Sequence, residues 1–334
     1  LILFRRQRQM CIRDSPDTGR IEAKGAGFGP GKHTIVVDAA DDSGTAAEPA
    51  RGSTWVGPQH SDWRDGVLYH VMLDRFRGDG GSTLSAPTTP GSRAGGTLDG
   101  LTAEIERGEM ASLGVTALWI SPVYVNPDAP RAGNDGHSYE GYHGYWPLDS
   151  RAVDPRLGGE AALEALVAAA HVRGIRVLLD LVPNHVYEDN PRYLEHADDG
   201  WFSPTCVCGQ TACPWGTHLQ TSWFTPYLPD LRFQSSEVMR MAVQDATWWS
   251  HRFDVDGVRV DAVPMMPRAA TRRIAHGLRT TTFPPAETFM LGEVYTGPGT
   301  AGLEQLRRHL GPAGFDSLFD FPLMWALRDA IASG

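Results

Sequence analysis

The stretch Gly257-Val258-Arg259-Val260-Asp261-Ala262-Val263 decides the fold. Side chains two apart on a β-strand share a face, so Gly257, Arg259 and Asp261 point one way and Val258, Val260 and Ala262 the other. The second face is wholly apolar and suits packing against helices. The first would aim an arginine and a carboxylate into a barrel interior, near the C-terminal strand end where barrel enzymes keep their active sites. An Arg beside the Asp is expected to lower the carboxyl pKa, as suits a nucleophile that stays ionised. Taken alone, a buried ion pair that only fixes register is the simpler reading.

The construction recurs. Leu291 and Glu293 share a face of Met290-Leu291-Gly292-Glu293-Val294-Tyr295, and Asp180, Asn184 and His185 follow Arg176-Val177-Leu178-Leu179. Three strands ending in carboxylates at one rim converge on a shared site. Two carboxylates held in different environments are the apparatus of glycoside hydrolysis, one as nucleophile and one as general acid. By itself Glu293 reads as a surface glutamate at a strand end.

Outward from these segments, apolar strands alternate with helical stretches, the pattern of βα units around a parallel sheet. Strands are expected at 67–73, 115–120, 176–182, 255–263, 289–295 and 316–321. A helix is expected over 163–173, stopped by Gly174. Another is expected over 235–251, opened by Ser-Ser-Glu, with Val238, Met241, Ala242 and Trp249 on one face. The fold class is therefore α/β, an incomplete (β/α)8 barrel of about six βα units.

Ahead of the barrel, residues 25–37 read as a Gly-rich turn feeding a β-branched strand, and residues 39–51 as small, acidic and Pro-containing. Residues 16–40 are expected to be the remnant of an N-terminal β-sandwich and 41–62 a linker. Residues 63–334 are expected to be the partial barrel, with a small loop domain at about 186–230. Residues 1–15 continue no later pattern and lack the ordered zones of a secretory signal. They are expected to lie outside the fold, as non-native sequence. Both ends are expected to be truncated.

The 334 residues carry 40 acidic against 30 basic side chains, a formal charge of −10, and the acids are scattered. Nucleic acid is not an expected partner. Apolar runs such as 165–170 fall far short of the roughly 20 residues that cross a bilayer. Of the 4 cysteines, Cys206, Cys208 and Cys213 crowd one loop with His218 beyond them. The spacing fits the usual zinc patterns poorly. A loop disulfide with a spare thiol is the preferred reading and three free thiols the next. A disulfide would favour an extracellular or periplasmic location over the cytoplasm.

These segments together resemble the α-amylase superfamily, family 13 of the glycoside hydrolases. Asp180-Leu181-Val182-Pro183-Asn184-His185 is similar to the family's D-x-x-x-N-H segment after the third barrel strand. Gly257 to Val263 resembles its fourth-strand G-x-R-x-D segment, and Gly292-Glu293-Val294-Tyr295 the fifth-strand segment that holds the acid/base. Gly141-Tyr142-His143-Gly144-Tyr145-Trp146 resembles the Y-H-G-Y-W of the sugar subsite, and Leu228-Pro229-Asp230-Leu231 the short P-D-L motif.

The resemblance implies a retaining glycoside hydrolase acting on starch, maltodextrin or related α-glucans, as in neopullulanase-like and cyclomaltodextrinase-like members. Asp261 would be the nucleophile and Glu293 the acid/base, with Arg259 beside them. His143, His185, Tyr145 and Asp180 would bind substrate, and Trp146, Trp201, Trp215 and Trp223 would line the cleft or the core. The family's third carboxylate, expected after a seventh strand, has no counterpart in these residues. Many members bind Ca2+ through the Asn of the first motif and a His four residues after the nucleophile. Here Asn184 is present but that position is Met265, a poor ligand for a hard cation, so no cofactor is required and Ca2+ at Asn184 is doubtful. Asp79 and the loop 126–135 could hold a metal, though charged solvent loops are the default. A transglycosylase, branching enzyme or trehalose-synthase-like isomerase would share the same Asp and Glu. A non-catalytic carbohydrate-binding relative is the third alternative.

Overall fold

The computed structural model describes residues 10–15, 20–25, 27–57 and 62–332, apart from residues 39, 42, 48, 134 and 284–287. Six strands form one parallel sheet in chain order: β1 (Leu68–Val71), β2 (Ala117–Ile120), β3 (Arg176–Leu181), β4 (Gly257–Val260), β5 (Phe289–Gly292) and β6 (Ser317–Leu318). Between them run α1 (Leu98–Arg107), α2 (Gly159–Val172), α3 (Ser236–Phe253), α4 (Arg268–Thr280) and α5 (Gly299–Arg307), with α6 (Phe321–Ala332) after β6. This is the incomplete barrel expected from the strand pattern. Sequential order with a crossover helix in each gap is what βα repeats dictate.

Strand parity works as the sequence reading requires. Leu118, Ile120, Val177, Leu179, Val258, Val260 and Met290 are buried in the main core. Ala117, Leu178 and Leu291 face the other way and gather Trp63, Trp119, Phe289 and Phe319 around them. Gly257 is forced by this packing, because a Cβ there would lie 2.4 Å from the Phe289 carbonyl oxygen. Helix α3 opens with the Ser235 side chain accepting from the Val238 N–H, and its face of Val238, Met241, Ala242 and Trp249 is buried. Trp249 meets Tyr124 edge-on at 5.3 Å. Burying one such side chain contributes about 1.5–3 kcal/mol. Helix α2 stops at Gly174, whose positive φ of 72° lets its N–H reach the His171 carbonyl.

Two boundaries differ from expectation. The segment expected as a linker holds a strand, Ala50–Val56, paired antiparallel with Gly31–Val37 and flanked in parallel by Thr282–Phe283. Met10–Ser15, within the segment set apart as foreign, pairs its backbone with Arg20–Gly25 in an antiparallel hairpin. The Gly31–Val37 strand is clamped to the barrel. Lys32 Nζ donates to the Asp254 carbonyl at 2.8 Å and lies 3.0 Å from the Asp256 carboxylate, while Thr34 Oγ1 donates to Asp254 Oδ1 at 2.7 Å. Among the described residues no helix is long and apolar enough to cross a membrane.

Candidate active site

Three strand ends build the site. Asp180 on β3 sits in register with Arg259 on β4, which pairs with Leu291 on β5. Asp261 and Glu293 each follow directly after their strands, one residue beyond β4 and β5. The chain turns sharply there, since Ala262 adopts φ 51°, a left-handed conformation uncommon for a residue with a Cβ. That turn points the Ala262 N–H at Glu293 Oε2, 3.1 Å away.

Arg259 is the hub. Its Nη1 donates to Asp180 Oδ1 at 2.8 Å, Asp180 Oδ2 at 3.0 Å and Asp261 Oδ1 at 2.8 Å, and its Nη2 lies 2.9 Å from Glu293 Oε2. The guanidinium carbon lies 5.1 Å from the Trp119 ring centre. One cation thus faces three carboxyl groups.

Asp180 is expected from the resemblance to bind substrate, and the structure places it otherwise. Its side chain is fully buried, and besides Arg259 it accepts from Tyr145 OH and Trp119 Nε1, each at 2.9 Å. With its oxygens so engaged it anchors Arg259 and Tyr145 beneath the site. Trp119 is a site residue that sequence reasoning missed; interior parity on β2 was its only signal.

The carboxyl environments add burial to the expected effect of Arg259. Burial pushes Asp261 above the ordinary aspartate range and outweighs Arg259, which lowers it as expected from their shared face. Burial raises Glu293 as well, and the Asp261 charge raises it further. Both carboxyl groups share the Arg259 guanidinium, and the charge of Asp261 favours the protonated form of Glu293.

Tyr145 presents a partly exposed ring, stacked on His143 with centres 5.7 Å apart. Gly144 makes this strap possible: at φ 85° a Cβ would lie 2.2 Å from the Pro122 carbonyl oxygen. The Tyr145 N–H donates to His143 Nδ1 at 3.0 Å, so the neutral ring carries its proton on Nε2. Burial holds His143 down at about 4, and it stays neutral. His185 differs from expectation. It is buried, and its Nε2 gives its proton to the Tyr145 carbonyl at 2.9 Å, so it braces the strap from behind. Of the four tryptophans, Trp146 and Trp223 are core, Trp201 stacks on His196 at 4.0 Å, and Trp215 is exposed.

Asn184 offers an oxygen for a hard cation. Among the described residues its Oδ1 is buried with no hydrogen-bond partner, and the buried Asp230 carboxyl, pushed up to about 8 by burial, accepts there from Ser203 and Asn184. Among the described residues no cationic side chain pairs with Asp230, so the Asn184 and Asp230 oxygens fit calcium chemistry, and the Met265 thioether adds nothing to it. Asp79 accepts from Thr97 Oγ1 at 2.7 Å, and it joins no cluster of three metal ligands among the described residues; nor does 126–135.

A parallel α/β barrel with paired carboxylates at the C-terminal ends of neighbouring strands defines a class, the barrel glycosidases. Residues 65–298 match the model of the α-amylase catalytic domain, and the chain belongs to the α-amylase family. It is 32% identical over 220 residues to α-amylase 3 of Schizosaccharomyces pombe, covering 62% of this chain and 37% of that protein. It is 31% identical over 226 residues to the cyclomaltodextrin glucanotransferase of Geobacillus stearothermophilus, covering 60% and 31%. The α-amylase of Geobacillus thermoleovorans, solved with acarbose, superposes with a TM-score of 0.66 at 30% identity over 80% of this chain and 54% of that one. The chain therefore spans well under half the length of these curated relatives.

Proposed function

We propose that the protein is a retaining glycosidase that cleaves α-glucosidic bonds in starch, maltodextrin or related α-glucans. One observation carries this: Arg259 bridges Asp261 at 2.8 Å and Glu293 at 2.9 Å on adjacent strand ends. The ionised Asp261 attacks the anomeric carbon while Glu293 gives its proton to the departing glycosidic oxygen, leaving a glycosyl ester on Asp261. Glu293, now a base, takes a proton from water, whose oxygen attacks the same carbon and frees Asp261. The neutral His143 Nε2–H donates to a sugar hydroxyl, and Tyr145 lies under the ring. Calcium, where bound, would be held by Asn184 and Asp230 and would brace the loop behind β3.

Similarity to a glucanotransferase supports a second reading, in which a sugar hydroxyl replaces water in the second step. Incubation with soluble starch, pullulan and cyclodextrin separates the two. Hydrolysis gives a steady gain in reducing ends, whereas transfer gives rearranged or cyclic glucans with little gain. Inactivity on all three substrates would leave the glycosidase reading without support.

A further inference from the structure

The loop from Cys206 to His218 has no part in the chemistry above. Cys206 and Cys213 are joined as a disulfide with Cα atoms 5.6 Å apart, and the half-buried Cys208 is free. His218 closes the short helix Trp215–His218 and brings a ring nitrogen to both sulfurs. All three ligand atoms lie within 4.8 Å of one another. We propose that, once this disulfide is reduced, Cys206, Cys213 and His218 hold a zinc ion.

Geometry is the first argument. With Zn–S about 2.3 Å and Zn–N about 2.0–2.1 Å, the ligand atoms of a tetrahedral site sit between roughly 3.3 and 3.8 Å apart. The three ligand atoms already lie within 4.8 Å of one another, and reduction frees the two bonded sulfurs to move apart toward that spacing. Chemistry is the second: two thiolates and an imidazole select zinc over the hard cations that suit Asn184 and Asp230. Among the described residues this is the one cluster of three such ligands.

Backbone hydrogen bonds that do not involve the sulfurs tie the loop down around these ligands. Cys208 N–H donates to the Trp223 carbonyl and Trp223 N–H to the Cys206 carbonyl, both at 2.8 Å. Gly209 N–H donates to the Cys213 carbonyl at 3.1 Å, and His218 N–H to the Pro214 carbonyl at 3.2 Å. Cys208 lies outside the cluster, so a solvent molecule would supply the fourth ligand. Two residues past His218, Gln220 Nε2 donates to the Met266 carbonyl at 3.3 Å. Zinc would thus brace this loop against the segment that follows Asp261.

The chemistry balances. A trialkylphosphine and water convert the disulfide to two thiols and the phosphine oxide. Zinc then displaces two protons as both thiols bind it as thiolates.

The test is zinc content by mass spectrometry, after gel filtration of the protein with the disulfide intact and after phosphine reduction with zinc supplied. The reduced protein is expected to retain one zinc per chain and the oxidised protein none. Cobalt in place of zinc should show a thiolate charge-transfer band. His218→Ala should weaken retention at least about tenfold, and Cys208→Ser should leave it unchanged. A reduced protein without zinc overturns the proposal, as does equal retention by the oxidised form. Loss of zinc in Cys208→Ser with retention in His218→Ala overturns it as well.

Discussion

Asp180 and Arg259 face each other in register on β3 and β4, and one guanidinium nitrogen donates to both carboxylate oxygens at 2.8 and 3.0 Å. Both side chains are buried, and changing Asp180 removes one of the three carboxyl groups that face Arg259, leaving it Asp261 and Glu293. Asp180→Asn is expected to cost about 1.5–3 kcal/mol of stability through its weakened bonds to Arg259, Tyr145 and Trp119. It also withdraws a negative charge from beside Arg259, which strengthens the positive field on Glu293. The alkaline limb of the kcat/KM profile should therefore move to lower pH. An Asp180→Asn protein with wild-type stability and an unmoved limb would show that Asp180 positions nothing.

In the proposed mechanism Asp261 acts as an ionised carboxyl and Glu293 as a protonated one. Asp261→Asn and Glu293→Gln should each abolish turnover while circular dichroism and melting temperature stay near wild type. A rate loss under about tenfold, roughly 1.4 kcal/mol, would contradict those roles.

The profile of kcat/KM should fall on its alkaline side as Glu293 gives up its proton. Burial and the Asp261 charge raise that proton's pKa. The limb is expected above the ordinary glutamate value of about 4.3. A limb at that ordinary value would mean that another group is the acid.

The six barrel strands were legible because each is a short apolar run with fixed parity. Parity also predicted that Arg259 and Asp261 share a face. Depth along the strand was not legible. Asp180 is paired inside the ladder beside Arg259, whereas Asp261 lies one residue beyond β4, and that difference makes one carboxylate an anchor and leaves the other at the rim. The strand Ala50–Val56 was not legible because Ala-Arg-Gly-Ser-Thr-Trp-Val does not alternate, and its pairing depends on Gly31–Val37. Trp119 reads as core until register brings its indole N–H to Asp180.

Asn184 Oδ1 is buried without a partner beside the buried Asp230. An unsatisfied buried oxygen costs about 1–3 kcal/mol, which a bound cation would offset. Millimolar calcium should raise the melting temperature and a chelator should lower it. Asn184→Ala and Asp230→Asn should each remove the response. A wild-type melting temperature indifferent to both reagents would leave Asn184 without a metal role.

Lys32 ties the Gly31–Val37 strand to the barrel through buried Asp256, which also meets His171 Nε2 at 2.8 Å. Burial alone would raise Asp256 and lower Lys32. Their mutual attraction prevails: with help from His171, Asp256 is held well below the usual carboxylate range, and with help from Asp254, Lys32 is raised. The depressed carboxyl contributes stability that is fully present above its unfolded pKa of about 3.9 and is lost as pH falls below that. The raised amine contributes stability that is present below about 10.4 and is lost as pH rises through the folded value. Between those limits the clamp is intact. Lys32→Met leaves Asp256 buried without its main cation and should cost about 3–5 kcal/mol at pH 7 by urea unfolding. It should also flatten the decline in stability on the acid side, since Asp256 then loses much of its depressed pKa. A cost under about 1 kcal/mol with an unchanged acid limb would mean that the strand rests on the barrel through packing alone.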